Sequence, residues 1–472
     1  MRRIIKILGV VSVFALLLVA GLFIGANNAL ADAGTGWAFT EPPISSSADL
    51  TSLALNSNDY PGIAYIQSNN LYYRECMSGD CTVASNWNSA TLVAAGASSE
   101  VVLHYNKSND PVIYFRNGGS ANYFAHYVGG SSGTCAVSYS GSNAWNCDNV
   151  ASLQSGSSYY FDFASAPHPT SGNDVYYIVG RGSGNEQGFV YCEDTGSNVC
   201  DTVSGWNGYE LTVPGQPEAS KVAAEGNYVH IAYYESEGTN EIYYQACDIS
   251  ATDCDAAGDW TYVSNELVAV QGTYYSPQLM DLTANNGDVG ILFTLNSTSN
   301  ITPYSTSIQY LEYVGSGGNG SGSPWSGSSK WNGTQVYNQN TGRYDGSLDY
   351  SSVYGIMIGL RNPTNNTANL LTCSSNCEGS WDSDWTDTIV FDSDDPNAYG
   401  YSTIGNDSKV LVASNGYPRF SFNGSNFYGQ EDDEPEPAEV PELPANNIWK
   451  VLVAVLALGL VIGVAAFMKK KK

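Results

Sequence analysis

Three arginines stand at one repeated position of the chain. Arg116, Arg181 and Arg361 each end a short apolar run, in VIYFRN, VYYIVGR and IMIGLRN. Guanidinium groups gathered on one rim would clamp a carboxylate bidentately. Glu235 and Glu237, in HIAYYESE, occupy the same turn and are candidate acids beside such a clamp. With 46 acidic residues in the chain, a carboxylate pair of the kind glycoside hydrolysis uses is not diagnostic alone. The acidic loops Asp253–Asp259 (DCDAAGD) and Asp392–Asp395 (DSDD) carry hard oxygens that would suit Ca²⁺, yet neither has EF-hand spacing, so solvated loops and no cofactor are expected. His104, His126, His168 and His230 stand at no ligand spacing with the cysteines, which argues against zinc.

The elements that position these side chains repeat. Turn residues, a short apolar strand, a Tyr-rich strand, a cysteine pair, then Trp and another strand recur along the chain. Examples are DYPGIAYIQSNNLYYREC, GNDVYYIVGRGSGNEQGFVYC and GNYVHIAYYESEGTNEIYYQAC. The first cysteines of the pairs, Cys76, Cys135, Cys192, Cys247 and Cys373, are 59, 57, 55 and 126 residues apart. The last interval spans two periods, so one repeat lacks cysteines. Trp87, Trp145, Trp206, Trp260, Trp331 and Trp385 mark six unit ends. A further apolar stretch precedes each pattern, as in TSLALN, SEVVLHY, SKVAAE and YSPQLMDL. Four strands in about 56 residues is the period of propeller blades, far longer than that of a β-solenoid.

Six complete units run from Leu50 to Asp392. Residues 399–429 supply three more strands, YGYSTI, KVLVAS and PRFSFNG, and residues 36–45 (GWAFTEPPIS) read as the missing fourth. The expectation is an all-β, seven-bladed β-propeller closed by an N-terminal strand, with six or eight blades as alternative counts. Closure of this kind removes exposed sheet edges. The ten cysteines pair within repeats: Cys76 with Cys81, Cys135 with Cys147, Cys192 with Cys200, Cys247 with Cys254, and Cys373 with Cys377, each between the third strand and the Trp-bearing fourth. Such bridges imply an oxidising compartment.

IAYYESEGTNEIYYQAC, followed by WTYVSNELV, resembles the repeats of sialidase-like (BNR-type) propellers of exported microbial proteins, over about residues 36–429. The resemblance implies propeller architecture and, for an enzyme of that kind, an arginine triad, a Tyr–Glu nucleophile pair and an acidic acid/base. The Asp-box pattern S-x-D-x-G-x-x-W has no clean match in any repeat.

Both ends carry membrane signals. Arg2, Arg3 and Lys6 precede an apolar run and the Ala29-Leu30-Ala31 site, so residues 1–31 read as a signal peptide cleaved between Ala31 and Asp32, with an uncleaved anchor as the alternative. Residues 32–429 form the propeller, 430–447 an acidic Pro/Glu stalk, 448–468 a transmembrane helix and 469–472 a cytoplasmic basic tail. The order VPELP, apolar helix, basic tail also resembles the sorting signals read by exosortase- and archaeosortase-type transpeptidases. The expected location is therefore the cell membrane, single-pass, with the bulk outside.

Composition excludes other classes. With 43% hydrophobic and 14% charged residues, 34 Tyr and 49 Gly, the chain is neither disordered nor a coiled coil. All 46 acidic residues lie between Asp32 and Glu442 against ten basic ones, a surface that repels nucleic acid. The expected function is a surface-anchored binding module for a glycan or protein ligand. An extracellular glycoside hydrolase of sialidase-like type is its alternative.

Overall fold

The computed structural model describes residues 30–31, 37–40 and 48–431, except for stretches within that span of which 151–160 and 393–408 are the longest. The chain divides into a unit Met1–Glu431 and a second, Asp432–Lys472. The apolar leader before residue 30, most of the stalk, the 448–468 segment and the basic tail lie outside the described residues. Among the described residues no helix is long and apolar enough to cross a membrane.

Sheet 1 consists of Ala48–Leu55, Pro61–Gln67, Asn70–Glu75 and Thr91–Ala95, all antiparallel and in chain order. Sheets 2 to 6 repeat the plan, with first strands Ala97–Tyr105, Asp162–Pro167, Pro217–Glu225, Tyr275–Asn285 and Gly346–Ser351. The first strands of successive sheets touch one another, and Lys409–Val412, the first strand of a closing sheet, touches both Gly346–Ser351 and Ala48–Leu55. The ring is thereby shut, and the fold is an all-β propeller.

Six sheets have the regular four-stranded form, six rather than the expected seven, because the closing sheet is built differently. It has five strands, in the order Leu30–Ala31, Trp37–Thr40, Phe427–Glu431, Pro418–Phe422, Lys409–Val412. Trp37–Thr40 pairs antiparallel with Phe427–Glu431, as expected of a strand borrowed from the N-terminus. The C-terminal strands are assigned differently from expectation. The third is Phe427–Glu431, whereas YGYSTI falls outside the described residues.

The middle strands explain the lack of polar alternation in the sequence. Tyr228–Glu235 is buried along almost its whole length, because each sheet is covered on both faces by its neighbours. Turn chemistry is equally regular. The connection into the second strand carries a left-handed residue in every sheet: Asp59, Asn109, Gly172, Gly226, Gly287, Gly355 and Gly416, with φ between 57° and 90°. Glycine, Asn and Asp are the residues that tolerate this conformation.

Sheet-to-sheet packing uses the tryptophans. Trp145, Trp206, Trp260, Trp331 and Trp385 each meet, edge to face, a ring on the third strand of the preceding sheet. The partners are Tyr73, Phe124, Phe189, Tyr244 and Tyr310, at 5.4, 5.3, 5.1, 5.1 and 5.8 Å between centroids. Each such pair adds about 0.5–1.5 kcal/mol beyond area burial.

All five disulfides are present and no cysteine is free. Their structural use is specific. The indole N–H of Trp87, Trp206, Trp260 and Trp385 donates to the carbonyl of Cys81, Cys200, Cys254 and Cys377, at 2.8, 2.9, 3.2 and 3.1 Å. The bridged loop thus holds the acceptor that fixes the ring. The placement departs from the expected loop between third and fourth strands: Cys192, Cys247 and Cys373 fall within third strands, and in sheet 2 Cys147 lies within the fourth, two residues beyond Trp145. In the cysteine-free sheet 5, Asn319 closes the loop instead. Its side chain accepts from Gly333 N at 2.6 Å and donates to Gly333 O at 3.1 Å.

Candidate functional site

Arg116, Arg181 and Arg361 lie at the outgoing ends of the second strands of sheets 2, 3 and 6, Pro111–Asn117, Asp174–Arg181 and Gly355–Asn362. Glu235 holds the same place in sheet 4, buried opposite Glu241. Glu237 lies outside the described residues. Sheets 4 and 5 therefore separate Arg181 from Arg361 around the ring. Arg181 and Arg361 are half-buried, whereas Arg116 is 2% exposed.

The surroundings of Arg116 are a built site. Its Nη1 is 3.2 Å from Glu100 Oε2, and its guanidinium lies over the Phe161 ring, 4.6 Å from the centroid. Glu100 sits on the first strand of sheet 2 as the extra residue of the register shift between Ser99 and Val101, with φ of 49°. A non-glycine residue held there stores backbone strain, a feature that clusters at functional sites. Burial pushes the Glu100 carboxyl up to about 7, against the pull of Arg116, the Phe161 N–H and Lys221.

A second set comes together that sequence reasoning missed. Asp162, Lys221, Asp281, Asp349 and Lys409 belong to the first strands of sheets 3, 4, 5, 6 and the closing sheet. Lys221 Nζ is 3.9 Å from Asp162 Oδ1, and Lys409 Nζ is 3.6 Å from Asp281 Oδ2. Because Lys409 reaches Asp281 past sheet 6, the two charges meet about the ring axis. Electrostatic coupling runs the same way: Asp162 feels Asp281 and Lys409, and His104 on sheet 2 feels Lys409.

The carboxylates also bolt adjacent sheets together. Val222 N donates to Asp162 Oδ2 at 3.1 Å, Leu348 N to Asp281 Oδ2 at 2.9 Å, and Val412 N to Asp349 Oδ2 at 2.9 Å. Ser52 and Ser347 do the same for Leu103 N and Val410 N, at 3.0 and 2.6 Å. Burial raises Asp162, and Lys221 and the Val222 N–H oppose it. It raises Asp349 to about 6, opposed by the N–H groups of Tyr350 and Val412 and by Lys409. Burial lowers His104 to about 4. The available signal was a polar residue set among apolar ones in a first strand: Ser52 in TSLALN, Lys221 in SKVAAE, Asp281 in QLMDL.

This electrostatics has a measurable consequence. Asp349 is raised above its ordinary value, so the folded state favours its protonated form, and its contribution to stability is lost as pH rises toward 6. Asp349→Asn mimics the protonated acid. The stability of the variant relative to the parent should therefore increase by about 3 kcal/mol between pH 4 and pH 7, flattening above, in denaturant melts at each pH. A pH-independent difference would refute the assignment.

Among the described residues no group of three or more His, Cys, Asp or Glu side chains is arranged to hold a metal ion. The sequence matches no family model and no curated protein. Among solved structures the chain is similar to the BP39L lectin from Burkholderia pseudomallei (10% identity, TM-score 0.47, covering 80% of this chain and 96% of that one). It is also similar to the polysaccharide lyase Uly1 (9% identity, TM-score 0.45, 83% and 90%). A third is Drosophila Semaphorin 1b, extracellular domains 1-2 (9% identity, TM-score 0.41, 82% and 85%). The fold assignment rests on the ring topology described above.

Chemically, the axial set offers ammonium donors next to carboxylate acceptors, held by strands rather than loops. Donors and acceptors held in this way can hydrogen-bond a polar group brought beside them.

Proposed function

We propose that the chain is a binding module displayed outside the membrane, taking a glycan or protein ligand at the axis of its propeller. The observation that carries this reading is the convergence of Asp162, Lys221, Asp281, Asp349 and Lys409, half-buried to buried, on first strands that surround one axis. Rigid strands pre-organise these groups, so little ordering entropy is lost on binding. Display at the cell surface is supported by the residues 1–31 leader, the acidic stalk and the 448–468 apolar segment with its lysine tail. Protease added to intact cells should release a fragment ending in the stalk.

The shared strand-end position of Arg116, Arg181 and Arg361 favours a second reading, a sialidase-like glycoside hydrolase. One experiment separates the two. The purified protein is applied to an array of glycans and cell-surface proteins and, in parallel, to sialosides and aryl glycosides. Binding without sugar release supports the module. Sialoside hydrolysis that disappears in the Arg181→Ala/Arg361→Ala double variant installs the enzyme.

A further inference from the structure

We infer that the axial set takes an uncharged polyol, the neighbouring hydroxyls of a neutral sugar, and rejects sugars that carry a carboxylate. This rests on the binding-module reading and names the ligand class for the same site.

The geometry of the two ion pairs is the first ground. At 3.9 and 3.6 Å, Lys221–Asp162 and Lys409–Asp281 are wider than a direct hydrogen bond. Each ammonium has three donors; the Val222 N–H goes to Asp162 Oδ2 and not to the Oδ1 that faces Lys221, and Asp281 Oδ2 keeps a lone pair beyond the Leu348 N–H it accepts. A hydroxyl both donates and accepts, so one inserted at such a pair satisfies the carboxylate and the ammonium together. A carboxylate ligand accepts only, and an ammonium ligand donates only. Each would leave one half of every pair without a match.

Accessibility is the second ground. The lysine side chains are 29% and 38% exposed, and their carboxylate partners 15% and 9%. The groups are reachable yet partly desolvated, the condition under which hydrogen bonds to charged groups contribute most.

Net charge is the third. Asp162, Asp281 and Asp349 share the axis with Lys221 and Lys409, and the Asp281 charge disfavours ionisation of Asp162 and Asp349. Glu100 and Arg116 neutralise each other nearby. An added anion enters a field with an acidic excess, and the buried Arg116 guanidinium is already engaged by Glu100.

The test is isothermal titration of the full chain in detergent micelles at pH 7.5. The probes are methyl β-galactoside, methyl α-mannoside and N-acetylglucosamine, set against N-acetylneuraminic acid and methyl β-glucuronide. At least one neutral probe should bind about tenfold or more tightly than either acidic one, about 1.4 kcal/mol. Its affinity should change little with added salt, because no counterion is released. Asp162→Asn and Lys409→Met should each weaken it about tenfold with the melting transition retained, and Lys221→Met serves if either variant fails to fold. Equal or tighter binding of an acidic probe, neutral binding indifferent to all three substitutions, or no binding by any probe would overturn the inference. A glycan or protein captured on the array in that last case leaves the binding-module reading standing, so the two failures are distinguishable.

Discussion

Arg116→Ala should lower the stability of the propeller by about 3–5 kcal/mol at pH 8, the cost of leaving a buried carboxylate without its counter-ion. Glu100 Oε2 lies 3.2 Å from the guanidinium, and the arginine is almost wholly buried beneath it. The loss should be pH-dependent. Glu100 is raised to about 7 even with Arg116 present, so removing the cation raises it further and the variant's deficit shrinks as the carboxyl takes up a proton. At pH 5 the difference from the parent should fall well below its value at pH 8. Arg116→Lys should recover part of the deficit, since it keeps the charge but not the planar contact with Phe161. Arg181→Ala and Arg361→Ala, at half-buried strand ends, should cost less. Urea melts at both pH values read all four variants. A pH-independent loss for Arg116→Ala would place the interaction outside the ion pair.

That behaviour departs from what the sequence implies for a residue at a turn. From VIYFRN alone, Arg116 reads as an exposed strand-end cation available to a ligand. Its partner is invisible there because Glu100 lies 16 residues earlier, in a left-handed conformation at a bulge that no spacing rule anticipates. Local features were legible for the opposite reason. A cysteine pair, a Trp and a turn with Asp, Asn or Gly lie within one repeat, and their spacing is set by contacts within that repeat or with the adjacent one. The axial charges depend on the ring. Lys221, Asp281 and Lys409 sit in separate apolar runs, and they become a site only when first strands far apart in sequence are brought around one axis. A polar residue in an apolar strand is the trace each leaves, and it acquires meaning once the position is compared across repeats. The closing sheet lies between these cases. Trp37 signals its borrowed strand, while Leu30–Ala31, which the sequence reads as the end of the leader, pairs with that strand as a further one.

Trp37→Ala should cost about 3–5 kcal/mol, as for other large-to-small changes at a buried indole, and more than its distance from the axial site suggests. The ring is 3% exposed and packs edge-on to Phe420, 6.4 Å between centroids. It belongs to one apolar cluster with Met357, Leu370 and Val390 of sheet 6 and Val410 of the closing sheet. One side chain from the N-terminal strand therefore fastens the closing sheet to its neighbour. Loss of that grip should release Trp37–Thr40 from Phe427–Glu431 and leave an unpaired edge, which invites association between chains. The opposite flank of the closing sheet is held differently, where the Ser414 backbone N donates to Asp59 Oδ1 at 2.8 Å and the Ser414 hydroxyl also donates to Asp59. Asp59→Ala removes exposed hydrogen bonds and leaves an alanine at the left-handed φ of 61°, and should cost about 2 kcal/mol. Calorimetry with light scattering reads both: Trp37→Ala should melt earlier and form oligomers, and Asp59→Ala should stay monodisperse with a small shift. If Trp37→Ala behaves like Asp59→Ala, the N-terminal strand is an accessory to the ring and the C-terminal strands close it unaided.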